Sequence, residues 1–367
     1  MKFSILGAAC ALMFAAPAAA EEIPFIEDRF EISADAFNIE DVDGEPGLTL
    51  ENGVAALKSF VFENGVIEFD VNFPNQRGFV GVRFRSQDKA NYEAFYIRTH
   101  QSGNPDANQY SPTFNGVAAW QILYGPQYAT PIMYKHDEWT HVKIVVSGDK
   151  ADFYVGDEEP ILHVDNLLRD QAEGGVELWT NITTAQFANL KIERNAAIET
   201  VGAAVPHPPL RAGVISKWSV SEAFSAESTD GSLVLDDALQ SGLEWGTVIA
   251  ESNGVANLAR VARGARDKNM ALAKIVIDAD DDIVKRMEFG FSDKAKVYLN
   301  GALLYDGDDG YGSRDYRFLG TVGFYDALYL PLEKGRNEIV FAVTESFGGW
   351  AVAGAIADRS GVKIVEE

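Results

Sequence analysis

Between Asn91 and Trp120 the chain reads NYEAFYIRTHQSGNPDANQYSPTFNGVAAW, a strand-like run followed by a long polar loop and a second apolar stretch. Arg98 and His100 end the run, Asn104, Gln109 and Tyr110 fall in the loop, and Trp120 and Gln121 close it. Aromatic rings cover the apolar face of a ligand, while amides, hydroxyls and guanidinium groups make directional bonds to its polar edges. Brought together on a concave surface, such residues suit a polar, flat-faced ligand such as a sugar. Tyr96, Tyr110 and Trp120 are the expected stacking rings, and Arg98, His100, Asn104, Gln109 and Gln121 the expected hydrogen-bonding groups. The same stretch has a structural reading, in which its Asn and Asp residues cap turns and Trp120 fills the core.

No motif fixes a reaction. His100 and Glu68 are candidate acid/base groups, His100 because an imidazole titrates near neutrality, but spacing assigns neither a nucleophile nor a partner. No metal centre is expected. The runs Asp278, Asp280, Asp281, Asp282 and Asp306-Gly307-Asp308-Asp309-Gly310 lack the twelve-residue calcium loop and its terminal glutamate, so solvated turns are expected there. Structural calcium stays open as the alternative, and no other cofactor is expected.

These residues must be positioned by strands. Gly65 to Phe73 alternates Ile67, Phe69 and Val71 with Glu68, Asp70 and Asn72, and Gly78 to Arg85 repeats the period with Val80, Val82 and Phe84 inward. Further strands are expected at 92–99, 118–123, 139–147, 151–155, 175–179 and 186–193, separated by turn-forming residues such as Ser147-Gly148-Asp149-Lys150. If Phe73 and Gly78 close a hairpin, Glu68 falls opposite Arg83. Glu68, Asp70, Arg83 and Arg85 then share a polar face that is either a binding groove or a solvated lattice of ion pairs. Tyr92, Tyr96 and Arg98 share one face of the next strand, with Phe95 and Ile97 on the other.

A Pro-rich stretch at 201–212, with Pro206, Pro208 and Pro209 around His207, cannot supply a sheet ladder and reads as a linker. Beyond it, strands are expected at 217–221, 271–278, 286–291, 295–299, 302–305, 327–331, 337–344 and 351–357. The expected fold is all-β, with two β-sandwich jelly-roll domains at 21–200 and 213–367.

The sequence of 367 residues has a formal net charge of −24, which disfavours nucleic acid and anionic lipid as partners. It also disfavours polyanionic sugars unless a local basic patch, for which Arg83, Arg85 and Arg98 are the candidates, overrides the global field. Lys2, the apolar run Phe3 to Phe14 and Ala18-Ala19-Ala20 have the order of a secretory signal peptide over 1–20. A periplasmic or extracellular product without membrane insertion is expected, and Cys10, the sole cysteine, would leave with the leader. The oligomeric state is not legible.

The succession GVIEFDV, FVGVRFRS and EWTHVKIVVSGDKADFYVG resembles the concanavalin A-like lectin and glucanase superfamily, and within it laminin G-like and three-keto-disaccharide hydrolase-type domains, over about residues 25 to 195. The resemblance implies a β-sandwich and a function among lectins, adhesion modules, hydrolases and lyases. Glucanases of the superfamily carry Glu-x-Asp-x-Glu on one strand face. The nearest match here, Glu68-Phe69-Asp70-Val71-Asn72, replaces the second glutamate. The second half, through Lys217-Trp218-Ser219-Val220-Ser221, the strand 295–299 entering Asn300-Gly301, and the strand 337–343, resembles galactose-binding-like jelly rolls. Its candidate contacts are Arg314, Asp315, Tyr316, Arg317 and Trp350. The expected work is carbohydrate recognition. The alternatives are hydrolysis or elimination of a glycan on the same surface, and an adhesion or scaffold role without a sugar.

Overall fold

A computed structural model of the chain describes residues 20–42 and 44–365; the expected leader and Cys10 lie outside them, Ala20 excepted. The first block comprises β1 (Glu21–Glu22), β2 (Phe30–Val42), β3 (Glu45–Leu57), β4 (Gly65–Asn72), β5 (Phe79–Asp88), β6 (Asn91–Arg98) and β7 (Asn108–Tyr110). It continues with β8 (Thr113–Phe114), β9 (Val117–Ala118), β10 (Thr140–Ser147), β11 (Lys150–Val155), β12 (Leu162–Val164) and β13 (Gly175–Arg194). All pair antiparallel, in the order β12-β11-β10-β4-β13-β5-β6, with β3 also on β13 and β2 outside it.

The long strand β13 turns this ladder into a sandwich. Its first part, through Asn181, pairs with β5, whereas Gln186 onward pairs with β4. Between them the register on β3 shifts from Thr180 to Thr184, and Ile182 sits at φ +61°, so the strand bends at an irregularity and carries the chain from one layer to the other. The layers close face to face: Phe95 of β6 stacks on Phe153 of β11 with centroids 4.4 Å apart. Ring pairs of this kind add about 0.5–1.5 kcal/mol beyond the burial of their area.

The second block comprises β14 (Lys217–Ser221), β15 (Trp245–Ile249), β16 (Val255–Asn257), β17 (Met270–Ala279), β18 (Ile283–Ser292) and β19 (Lys294–Leu299). Then follow β20 (Ala302–Asp308), β21 (Asp326–Leu332), β22 (Gly335–Thr344), β23 (Ala351–Ala355) and β24 (Val362–Val365). One sheet runs β15-β14-β17-β22-β19-β20 with β24 on β17, and the other β16-β23-β18-β21. Phe289 of the small sheet meets Phe341 of the large one at 5.6 Å, and fully buried Trp218 meets Phe341 from the side, so this too is a sandwich. Residues 199–211 form neither helix nor strand.

Three expectations about elements are corrected, and one hairpin is new. β4 and β5 do not form a hairpin, because β13 lies between them; Glu68 faces Lys143 and Lys191, and Arg83 faces Glu177. Residues 119–123 form turns where a strand was expected, and the two strands expected within 175–193 are one. The β2–β3 hairpin was not anticipated: β2 is exposed along most of its length, which erases the alternation that would have marked it.

The two blocks are docked. Their buried side chains form one continuous apolar cluster, and Gln121 secures the seam, its Nε2 donating to the Leu319 carbonyl at 2.7 Å and its Oε1 accepting from Ser292 Oγ at 3.0 Å. Tyr124 donates to the Val322 carbonyl, and the Arg260 guanidinium lies 4.4 Å from the Phe114 ring centroid. Beside the seam, Glu345 is half-buried, and its Oε2 is enclosed without a hydrogen-bond partner among the described residues. Burial, then the neighbouring Asp293 carboxylate, pushes its pKa up to about 8. Between the ordinary carboxyl value and that one, the folded state keeps a proton that the unfolded chain has released, so this group makes stability fall as pH rises through the window. Glu345→Gln, neutral throughout, should therefore gain in Tm over the parent progressively from about pH 5 to pH 8, as read by scanning calorimetry. An offset independent of pH would show that Glu345 ionises normally.

Candidate functional site

Strand alternation sets the site. The residues of β5, β6 and β13 that point into the sandwich are apolar, including Val80, Val82, Phe95, Ile97 and Leu178. The registers place the opposite residues in rows: Asn181, Phe79 and Arg98; then Trp179, Gly81 and Tyr96; then Glu177, Arg83 and Ala94. These rows floor a cleft of about 580 Å³. Gly81 leaves the middle row open, and the Tyr96 and Trp179 rings approach to 5.8 Å across it. A Cβ there would stand 2.2 Å from the Phe95 carbonyl oxygen, so glycine is required by the close approach.

Arg83 is spread beneath the aromatic surface. Its guanidinium lies 4.3 Å from the Tyr92 ring centroid and 5.5 Å from that of Trp179, and it pairs with Glu177 at 3.1 Å. Arg98 is nearly buried and held by neutral acceptors: Nη1 donates to the Asp106 carbonyl at 2.7 Å, and Nη2 to Tyr96 Oη at 3.0 Å and Gln109 Oε1 at 2.5 Å. The Asp106 carboxylate stands 3.9 Å from Nε. Burial, the largest influence, raises the Tyr96 pKa, and burial followed by the charges of Arg77 and Arg98 lowers that of His100, so Tyr96 keeps its proton and His100 is neutral at neutral pH. His100 Nδ1 accepts from the Gly78 amide at 3.4 Å, and its ring meets that of Phe79 edge-on.

The walls come from both blocks. Ser111, Thr113 and Trp120 rise from the loops after β6, while Tyr311, Leu319 and Phe347 come from two loops of the second block. The Phe347 ring lies 5.7 Å from Trp120 and 5.7 Å from Tyr311, edge-on to the latter. Four polar atoms of the lining are buried with no hydrogen-bond partner among the described residues: Arg83 Nε, Ser111 Oγ, Thr113 Oγ1 and Trp179 Nε1.

Of the residues singled out in the sequence, Arg83, Tyr96, Arg98, His100 and Trp120 line this cleft. The others lie elsewhere. Arg85 turns inward at φ +48°, its Nε donating to the Glu63 carbonyl at 2.7 Å and Nη2 to that of Gly148 at 2.6 Å, so it braces loops behind the sheet. Tyr110 points into the sandwich, donating to Glu93 Oε2 at 2.7 Å and accepting from the Leu168 amide at 2.8 Å. Asn104 is exposed on the loop and bonds Gln101. Gln121 is spent on the seam. Gln109 is buried, with Oε1 accepting from Tyr96 and Arg98 and Nε2 donating to the Trp120 and Leu123 carbonyls, so it positions the floor.

Glu68 is on β4, outside the cleft, and Asp70 of the same segment binds His141 Nδ1 at 2.7 Å and Asn189. In the second block Arg314 bridges Asp309 and Asp326, Arg317 pairs with Asp315, Tyr316 is exposed and Trp350 is core, its Nε1 donating to the Val343 carbonyl. Asp308 pairs with Lys294, and among the described residues no three His, Cys, Asp or Glu side chains gather as a metal site. Sequence reasoning missed Phe79, Trp179, Tyr311 and Phe347; parity along the strand 175–179 marks Trp179, whereas nothing local marks the two second-block rings.

No protein-family model matches the chain, and no curated protein matches it. Among solved structures it is similar to the carbohydrate-binding module CBM66 from Bacillus subtilis, at 18% identity over 46% of this chain and 99% of that one, with a TM-score of 0.34. It is also similar to the Bacillus licheniformis β-glucanase, at 10% identity over 50% of this chain and 100% of that one, TM-score 0.36. A Bacillus subtilis protein of unknown function with a galectin-like fold is 12% identical over 46% of this chain and 90% of its own, TM-score 0.34. Overlaps of this size say nothing of what this chain binds.

Gln109→Leu should leave Tyr96, Arg98 and two loop carbonyls short of partners. The expected cost is about 2–4 kcal/mol of unfolding free energy in urea titrations. A loss within about 0.5 kcal/mol would mean the floor holds its shape without Gln109.

Proposed function

We propose that the cleft binds a carbohydrate. The observation that carries this reading is the lining itself: Tyr92, Tyr96 and Trp179 offer rings beside the Arg77 and Arg83 guanidinium groups, His100 and the Ser111 and Thr113 side chains. Rings interleaved with polar side chains match the alternation of apolar face and hydroxyl edge on a pyranose. A cleft of about 580 Å³ walled by both blocks suits a ligand of one to a few sugar residues.

Catalysis is not part of the proposal. Asp106 is the one carboxylate among the described residues lining the cleft, so the paired carboxyls of a retaining or inverting glycosidase are not assembled there. His100 is the remaining candidate acid/base group for an elimination. The proposal further includes the laminin G-like character of the first block and the galactose-binding-like character of the second, both resting on the strand motifs quoted above. It also includes export to the periplasm or medium, on the strength of the 1–20 leader pattern.

On a glycan array the intact protein should be retained by a restricted set of structures without turnover. Trp179→Ala should weaken that retention about tenfold, the effect of losing one ring face. Glu31→Gln, on the outward strand β2, should leave it unchanged. Equal retention of the Trp179 variant would remove the cleft from consideration. Release of reducing ends or unsaturated products, abolished by His100→Ala, would instead assign an enzyme.

A further inference from the structure

The cleft is basic inside a strongly acidic protein. Arg77, Arg83 and Arg98 line it together with a single acid, Asp106, whereas the whole chain carries a formal net charge of −24. The compensation available to these arginines is incomplete. Arg83 is paired with Glu177 through Nη1, yet its Nε has no partner among the described residues. Arg98 is 7% exposed and spends its Nη atoms on a carbonyl, a phenol and an amide, with the nearest carboxylate oxygen 3.9 Å away. Arg77 is exposed at the rim, and among the described residues it makes no ion pair. His100 between them is kept neutral, so it neither adds to nor offsets the charge.

A guanidinium removed from water and held by neutral acceptors is costly unless an anion completes it. The remote acids that dominate the net charge do not supply one, because charges separated by more than about 8 Å of physiological electrolyte are largely screened. A ligand acid group can supply it, through charge-assisted bonds from the exposed Arg77 and through the field of Arg83 and Arg98.

Resting on the carbohydrate reading above, we propose that the ligand is an anionic saccharide, whose carboxylate or sulfate is received by the Arg77, Arg83 and Arg98 side of the cleft while a sugar ring lies against Trp179 and Tyr96. The acidic exterior favours short or sparsely charged saccharides over long polyanions, which would meet the repulsive surface beyond the cleft.

Titration calorimetry on the full chain tests this with two matched pairs: a hexuronate tetrasaccharide against its carboxyl-reduced form, and a sulfated tetrasaccharide against its desulfated form. The expected result is that at least one acidic form binds about tenfold or more tightly than its neutral counterpart, equivalent to one charge-assisted contact. Arg77→Gln, at an exposed position, should fold normally and shrink that preference about threefold or more, and Arg98→Gln should abolish it where its unfolding curve shows it folded. Equal binding of acidic and neutral forms overturns the anionic assignment and leaves the saccharide reading standing. Absence of binding by all four probes, in a protein that also retains nothing on the array, overturns both. A preference undiminished in Arg77→Gln and in folded Arg98→Gln shows that these arginines do not receive the acid group.

Discussion

The site depends on the two-residue period of three neighbouring strands. On β5, β6 and β13, every residue that faces the sandwich core forces its neighbours to face away, so the burial of Val82, Phe95 and Leu178 itself fixes Arg83, Tyr96 and Trp179 on the outer surface. A slip of one residue would expose the apolar set, which ties the position of the cleft floor to the hydrophobic effect and not to the contacts among the residues that line it. Packing such as Phe95 on Phe153 therefore acts twice, closing the sandwich and aiming the cleft.

Around that rigid floor the polar network is specific. Gln109 ties Tyr96 and Arg98 to the loop that carries Trp120, while Glu177 and two rings hold Arg83. The floor is thus held in shape by the protein's own contacts, as a preorganised surface requires. Its arginine-rich lining runs against the charge of the molecule as a whole.

Much of the architecture was legible because it is written in local alternation: β4, β5, β6, β10 and β11 were marked by their apolar period and their turns, and so were most strands of the second block. Partnership was not legible. β13 inserts between β4 and β5 from about a hundred residues downstream, and nothing local to Glu68 or Arg83 announces it. Within the site, parity correctly grouped Tyr92, Tyr96 and Arg98. It failed at Arg85, where an irregularity beyond Phe84 turns the side chain inward, and in the loop, where no period exists to tell Tyr110 and Gln121 from ligand contacts. Tyr311 and Phe347 could not be found from the first block at all, since they reach the cleft only through the docking of the second.

The wall borrowed from the second block gives the cleft a mechanical property that neither half possesses. Phe347 and Tyr311 stand over the floor because Gln121 and Tyr124 clasp the backbone at Leu319 and Val322. The seam therefore also sets the gap between Phe347 and Trp120, whose ring centroids stand 5.7 Å apart. Residues 21–200 alone would be an open tray, and its enclosure belongs to the two halves jointly.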